Sequence, residues 1–336
     1  MENPPASLHQ NFYPPRMTSM IRFKPIYQER VWGGRALESY LGRNLPAGRP
    51  IGESWEIVDR PEAQSLVADG PWAGRTLRQL IETESRAIMG PAWPAARPFP
   101  ILVKWLDCRD RLSVQVHPPS RLAAGLGGEP KTENWYFGKS DAGAAVYAGL
   151  RAGVTQARFE EAIAAGTVDQ CLDRLAVRDG DSLLIQSGTM HAIDAGNVIL
   201  EIQQNSDTTY RVYDWGRVGL DGKPRTLHVR ESLESLAANT APPPRLVRSD
   251  RRADVLAECP EFTLRRERLA PGARLVIAAG EQARILSVVD GTMGWEGGAA
   301  GTLQRGDNVL LPFAADFAVV AREEATVLVT ENFARQ

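Results

Sequence analysis

Two stretches of this chain echo one another. Gly180-Asp-Ser-Leu-Leu-Ile-Gln-Ser-Gly-Thr-Met-His191 aligns without gaps on Gly306-Asp-Asn-Val-Leu-Leu-Pro-Phe-Ala-Ala-Asp-Phe317, 126 positions later. In each, Gly-Asp followed by three apolar residues reads as a turn entering a buried strand. A chain that uses this unit twice is expected to hold two related β structures, and 336 residues are enough for two domains. The copies differ where chemistry could enter. The first ends in His191 and the second in Phe317, so only the first could hold a metal.

The rest of the chain agrees with a β-rich reading. Its 30 glycines and 23 prolines exceed the usual share and favour many turns between short elements. Ten short segments rich in β-branched or aromatic residues read as strands: Ser54 to Val58, Ser65 to Ala68, Ile101 to Leu106, Ser113 to Val116, Ala145 to Ala148, Ser182 to Gln186, Val198 to Ile202, Arg284 to Val289, Asn308 to Pro312 and Thr326 to Thr330. Helices are few. Thr76 with Gln79 forms a capping box ahead of a stripe of Leu77, Leu80, Ile81 and Ile88 that Gly90-Pro91 stops. A second helix is expected from Thr155 to Gly166. A third should begin at Thr167 with Gln170 and bury Val168, Cys171, Leu172 and Leu175, and a fourth covers Glu231 to Ala238. The Ala241-Pro-Pro-Pro-Arg245 run reads as a linker. We therefore expect a flexible tail over residues 1–20, a catalytic domain over 21–240 with helical segments near 76–89 and 155–176, and a metal-free β domain over 246–336. Met17 or Met20 could serve as alternative starts.

Charge narrows the partners. With 39 Lys and Arg against 41 Asp and Glu, the net charge of −2 implies neither a nucleic-acid nor a membrane partner. No apolar stretch approaches the ~20 residues that span a bilayer. Cys108, Cys171 and Cys259 are far apart and odd in number, which makes no disulfide framework and suits a reducing cytoplasm. Oligomeric state is left open, with a monomer expected.

Only four histidines exist, at 9, 117, 191 and 228, so a histidine-based site draws on a short list. On a strand, Gln115 and His117 face one side and Val114 and Val116 the other, which sets two ligand-capable groups about 7 Å apart. Gly180-x5-Gln-x-Gly-x2-His191 resembles the second motif of the cupin superfamily, with Gln186 in place of the usual proline. Gln115-Val-His117 echoes its first motif. A mainly β fold of cupin-type jelly-roll barrels follows as the expectation.

The resemblance sharpens further. Trp32-Gly-Gly34, Ile51-Gly-Glu-Ser-Trp-Glu56, Leu112-Ser-Val-Gln-Val-His-Pro118, Lys131-Thr-Glu133 with Trp135-Tyr136, and Glu201-Ile-Gln-Gln-Asn-Ser-Asp-Thr-Thr-Tyr-Arg-Val-Tyr-Asp-Trp-Gly-Arg217 are similar to segments of the class I mannose-6-phosphate isomerases of the short bacterial type. They cover roughly residues 21–230. The resemblance implies one zinc ion per chain, held by Gln115, His117, Glu133 and His191, and a sugar phosphate as substrate. It also implies that Lys131, Asp207 and Arg211 line the active site. Glu201, on the same strand face as Gln203, could serve as base or orienter. Desolvation and a nearby cation are expected to lower the Lys131 pKa. Longer members carry a histidine just before the equivalent of Lys131; here Pro130 stands there.

Phosphate recognition has no signature, and Lys104, Arg109, Arg217 and Arg225 are candidates by charge alone. Two other readings share the motif. A non-catalytic sugar-binding cupin would keep the metal as a structural pin, and an iron(II) cupin oxygenase would use two His and one Glu. Oxygenases place the carboxylate within a few residues of the first His, unlike Glu133 here.

Overall fold

The structure, a computed structural model, describes residues 19–296 and 301–335. Most of the expected tail, with His9, lies outside these residues. Every strand pairing among the described residues is antiparallel, and two pairs of facing sheets build two barrels. The first barrel combines a seven-stranded sheet, in the order Leu246–Val247, Ser182–Ile185, Glu133–Ser140, Asn197–Gln204, Ile101–Cys108, Ile51–Ile57 and Ile26–Gly34, with a five-stranded one, Leu172–Ala176, Ala145–Leu150, His191–Ile193, Val114–Val116 and Tyr210–Tyr213. Strand alternation sorts the side chains. Leu106, Trp135, Phe137 and Ile199 of the larger sheet meet Val146 and Ile193 of the smaller one inside the barrel.

The two outer faces are covered differently. On the smaller sheet, Val114, Val116, Tyr147, Ala192 and Val212 pack under Phe159 and Ala162 of the helix Gln156–Ala165 and against Leu233 and Leu236 of the helix Val229–Ala237. On the larger sheet, Val103, Trp105, Leu200 and Ile202 pack against Leu264, Ile285 and Leu328 of the second barrel. That barrel pairs a seven-stranded sheet with a four-stranded one that carries Phe317–Ala321. Its first sheet recruits Ile21–Lys24 and Leu66–Val67 from the beginning of the chain; Ile21 pairs with Leu310 and Phe23 with Val67.

All ten expected strand segments contain a strand, several longer than expected, while Ser65 to Ala68 keeps only Leu66–Val67. The two echoed stretches both form a turn, a strand and a returning strand, with Gly180 and Gly306 in the left-handed region at φ 81° and 97°. Thr76 accepts from the Gln79 amide at 3.1 Å while the Gln79 side chain accepts from the Thr76 amide at 2.9 Å, and the helix Leu77–Ile88 buries the expected stripe. Thr155 caps the next helix, and Gly166 ends it in the left-handed region at φ 69°. The third expected helix is a correction. Val168–Cys171 is one 3-10 turn, and Leu172–Ala176 is an edge strand. Val168, Cys171 and Leu172 are buried as expected, because three closely spaced apolar residues satisfy a short turn running into a strand as well as a helix.

Candidate metal centre

Cross-strand register assembles the site. In the smaller sheet Gln115 lies between His191 and Arg211, so three functional side chains stand in one row. In the larger sheet Glu201 lies between Lys104 and Trp135, and Gln203 pairs with Glu133. Where the sheets face, His117 Nε2 stands 3.4 Å from Glu133 Oε2, and His191 Nε2 stands 3.4 Å from Glu133 Oε1. All three side chains are about 1% exposed.

The imidazoles are held as metal ligands usually are, each through its other nitrogen. His117 Nδ1 donates to the Thr208 carbonyl and His191 Nδ1 to the Thr189 carbonyl, both at 2.8 Å. Burial and the Lys131 charge lower the His117 pKa to about 3, and burial lowers that of His191, so both rings are neutral and aim Nε2 lone pairs at the carboxylate. Burial opposes ionisation of Glu133, but the Lys131 charge beside it holds its carboxyl well below the usual range. His117 Nε2 and both Glu133 oxygens are buried without a well-directed hydrogen bond. Lys131 contacts Glu133 Oε2, yet both Nε2 lone pairs still face carboxylate oxygens in a dry interior, and a metal cation among them would relieve that repulsion. Gln115 adds the fourth donor: its amide nitrogen stands 3.2 Å from His191 Nε2, and an amide flip puts Oε1 there instead. Two imidazoles, a carboxylate and an amide oxygen suit a divalent ion of zinc's kind.

The cluster opens into a cleft of about 590 Å³ lined by Gln115, Lys131, Glu201, Asp207 and Arg211, and also by Lys104, Arg225, Arg30, Glu53 and Trp32. Burial raises the Glu201 pKa, the Glu133 charge raises it further, and Lys131 and Lys104 offset part of this, leaving it at about 7. The Trp135 indole donates to Glu201 Oε2 at 3.0 Å. Among the protein's own groups, burial disfavours the Lys131 ammonium, but Glu133, Glu201 and Asp207 together outweigh burial and raise its pKa. Asp207 faces Lys104 at 3.6 Å rather than Arg211. Arg211 Nε donates to Ser113 Oγ at 3.2 Å and Nη1 to the Thr226 carbonyl at 3.0 Å; no carboxylate pairs with it among the described residues. Burial and then the Arg225 charge depress its pKa.

Of the four cations considered for phosphate, Lys104 and Arg225 line the cleft. Arg217 and Arg225 both bind Asp214, but only Arg225 reaches the cleft, and Arg109 lies in a separate depression beside Asp107 and Lys139. Sequence reasoning missed Arg30, which sits two residues before Trp32. It also gave no role to Glu53, although the motif holding it was recognised. Gly52 makes room for Arg30, since a Cβ there would come within 2.5 Å of Arg30 Cβ.

Such a barrel defines a class: a metal-dependent cupin enzyme for a small, anionic, oxygen-rich substrate. Comparison with known proteins is specific. The phosphomannose isomerase type I catalytic domain matches residues 20–143. The mannose-6-phosphate isomerase ManA of Bacillus subtilis (strain 168) is 36% identical over 306 residues, covering 88% of this chain and 94% of that protein. The mannose-6-phosphate isomerase of Streptococcus mutans is 36% identical over 292 residues, covering 84% and 89%. A crystal structure of the Bacillus subtilis mannose 6-phosphate isomerase superposes with a TM-score of 0.83 at 30% identity, covering 94% of this chain and all of that one. The chain belongs to the type I phosphomannose isomerase family, the zinc-dependent enzymes its sequence resembles. No described helix is long and apolar enough to cross a membrane.

Proposed function

We propose that this chain interconverts mannose 6-phosphate and fructose 6-phosphate through an enediol, with one zinc ion held by Gln115, His117, Glu133 and His191. The observation that carries this reading is the buried convergence of one ligand atom each from His117, Glu133 and His191, all within 4.8 Å of one another beside the cleft wall that Gln115 and Lys131 line. The ion, when bound, supplies Lewis-acid polarisation of the sugar oxygens and stabilises enediolate charge. The chain's own residues do the rest. Glu201 carries the proton between neighbouring carbons, which its titration near neutrality and its position on the cleft wall both suit. Lys131 and Lys104, each set among carboxylates, donate to sugar oxygens. Asp207 orients Lys104. Arg211 directs its free donors at the enediolate, while Arg30 and Arg225 supply the positive charge a phosphate needs.

The same reading divides the chain into a catalytic barrel up to residue 240 and a C-terminal barrel from residue 246, and assigns a cytoplasmic monomer. Three unpaired cysteines support the compartment. Chelation is expected to abolish fructose 6-phosphate formation in a coupled assay, and zinc to restore it. His117→Ala and His191→Ala should each lose the ion. Full turnover by a metal-free preparation overturns the reading. An ion-loaded protein that binds the sugar phosphate without converting it is instead a sugar-binding cupin.

A further inference from the structure

Six large apolar side chains stand exposed among the described residues, and three of them, Val218, Leu220 and Leu227, lie on the segment that follows the Tyr210–Tyr213 strand. That segment has a fixed stem and a free tip. At the stem, Asp214 is gripped from both sides, by Arg217 at 2.8 Å and by Arg225 at 2.7 and 2.5 Å. The Trp215 indole donates to the Leu112 carbonyl at 2.7 Å and carries the Arg111 guanidinium 4.6 Å above its ring. Between the two arginines the chain doubles back: Val218 bridges Pro224, Gly219 donates to the Lys223 carbonyl at 2.8 Å, and Gly222 donates to the Gly219 carbonyl at 3.0 Å. No other hydrogen bond or ion pair ties residues 218–224 to the rest of the described chain; Lys223 donates only to Asp221 within the tip. Gly216 just before this tip and Gly222 within it, at φ 68° and 74°, have open space where a Cβ would stand.

The tip nonetheless forms part of the cleft wall. Gly219, Leu220 and Asp221 line it together with Lys131, Glu201 and Arg211. Leu220 is 58% exposed, the largest such value among the leucines described as exposed. An apolar side chain facing a charged cleft cannot bind the sugar's polar groups, but it can cover them.

We propose that residues 218–224 form a lid whose Leu220 settles on the bound sugar phosphate and shuts water out from the reacting carbons. This rests on the isomerase reading. In that reaction the C2–H bond breaks, its electron pair becomes the C1–C2 double bond, and the C1 carbonyl oxygen gains a proton. The O2 proton then leaves as the C2 carbonyl forms, and a proton is delivered to C1. While the abstracted proton sits on the enzyme it can exchange with solvent, so the share lost to water reports how well the cleft is sealed.

The test is conversion of mannose 6-phosphate in deuterium oxide by the zinc-loaded enzyme, reading deuterium at C1 per turnover. Leu220→Ser should raise incorporation severalfold and Leu220→Met should keep it at the wild-type level. Equal incorporation in wild type and Leu220→Ser, or complete exchange already in the wild type, overturns the lid. A wild type without turnover overturns the isomerase reading instead. Should Leu220→Ser itself lose turnover, amide hydrogen exchange of the wild type decides. Added fructose 6-phosphate should protect the Gly219 and Gly222 amides, and no gain in protection overturns the lid.

Discussion

Glu53 is a buried carboxylate of the cleft wall compensated by two cations, Arg30 and Lys104. Burial alone would push its pKa up, but Lys104 and Arg30 pull it down to about 2, helped by a hydrogen bond from the Trp55 indole at 2.6 Å. Arg30 grips it through Nε at 3.0 Å and Nη2 at 2.9 Å, while its Nη1 donates to the Glu29 carbonyl at 3.2 Å. The native state therefore binds the proton more weakly than the unfolded chain, whose value is near 4.5. The sign follows: this stabilisation is complete above about pH 4.5 and is lost as pH falls through about 2. Its size at neutral pH is of order 3 kcal/mol. Glu53→Gln is expected to lower the unfolding free energy by about that much at pH 7, with a difference from wild type that shrinks as pH falls from about 4.5 toward 2. Urea unfolding at pH 7 and at pH 3 checks it; a difference independent of pH would remove the charge argument.

Elements place residues with a precision that the residues alone do not have. Val114–Val116 is only three residues long, yet it stands between His191–Ile193 and Tyr210–Tyr213 and so brings Gln115 beside both His191 and Arg211. Arg211 is thereby bound to the strand that carries Gln115, and Ser113 fixes its Nε. A fork held this rigidly is suited to charge that develops during reaction. Arg211→Ala is expected to lower kcat by about 10²-fold or more with zinc content intact and KM changed less. A raised KM with kcat preserved would make Arg211 a phosphate grip, and wild-type kinetics would remove it from the mechanism. His117 and His191 stand out in the sequence because so few histidines exist, whereas Gln115 and Glu133 enter the expected ligand set only through the family resemblance; the structure brings His117, Glu133 and His191 within 4.8 Å of one another. The segment Leu172–Ala176 was not, because Val168, Cys171, Leu172 and Leu175 also fit a helical stripe, and only pairing with Ala145–Leu150 decides for a strand. Arg30 escaped notice for a similar reason: its place beside Glu53 is set by antiparallel pairing of two strands and by the absence of a Cβ at Gly52.

At the scale of the whole molecule, the two barrels share one core, which no local pattern announces. Strand Ile51–Ile57 serves two surfaces: Glu53 and Trp55 face the cleft side, whereas Ser54 and Glu56 belong to a polar network reaching the second barrel. Ser54 Oγ donates to Glu56 Oε1 at 2.6 Å, and Arg43 joins Glu56 at 2.8 Å to the Gly306 carbonyl at 2.6 Å. Arg266, fully buried, ties Asp254 at 2.8 Å to the Gly180 carbonyl at 2.8 Å, on the turn that enters the Ser182–Ile185 strand. Apolar burial runs across the same boundary. Ile21 and Phe23 are strands' worth of early chain packed into the late sheet, and Trp105 and Leu200 lie in one cluster with Leu264, Ile285 and Leu328. A chain cut at the Pro242-Pro-Pro244 linker would therefore expose Ile21, Phe23, Val67 and Trp105 together. At about 1.5–3 kcal/mol for each large apolar side chain, that loss rivals the whole 5–15 kcal/mol stability of an ordinary domain. A fragment of residues 19–245 is expected to aggregate or to unfold without a cooperative transition, even with zinc present, while the full chain unfolds in one step. Circular dichroism and gel filtration of the fragment check it. A monomeric fragment with a native spectrum and a sharp thermal transition would show that the catalytic barrel stands alone and that the second barrel merely rests on it.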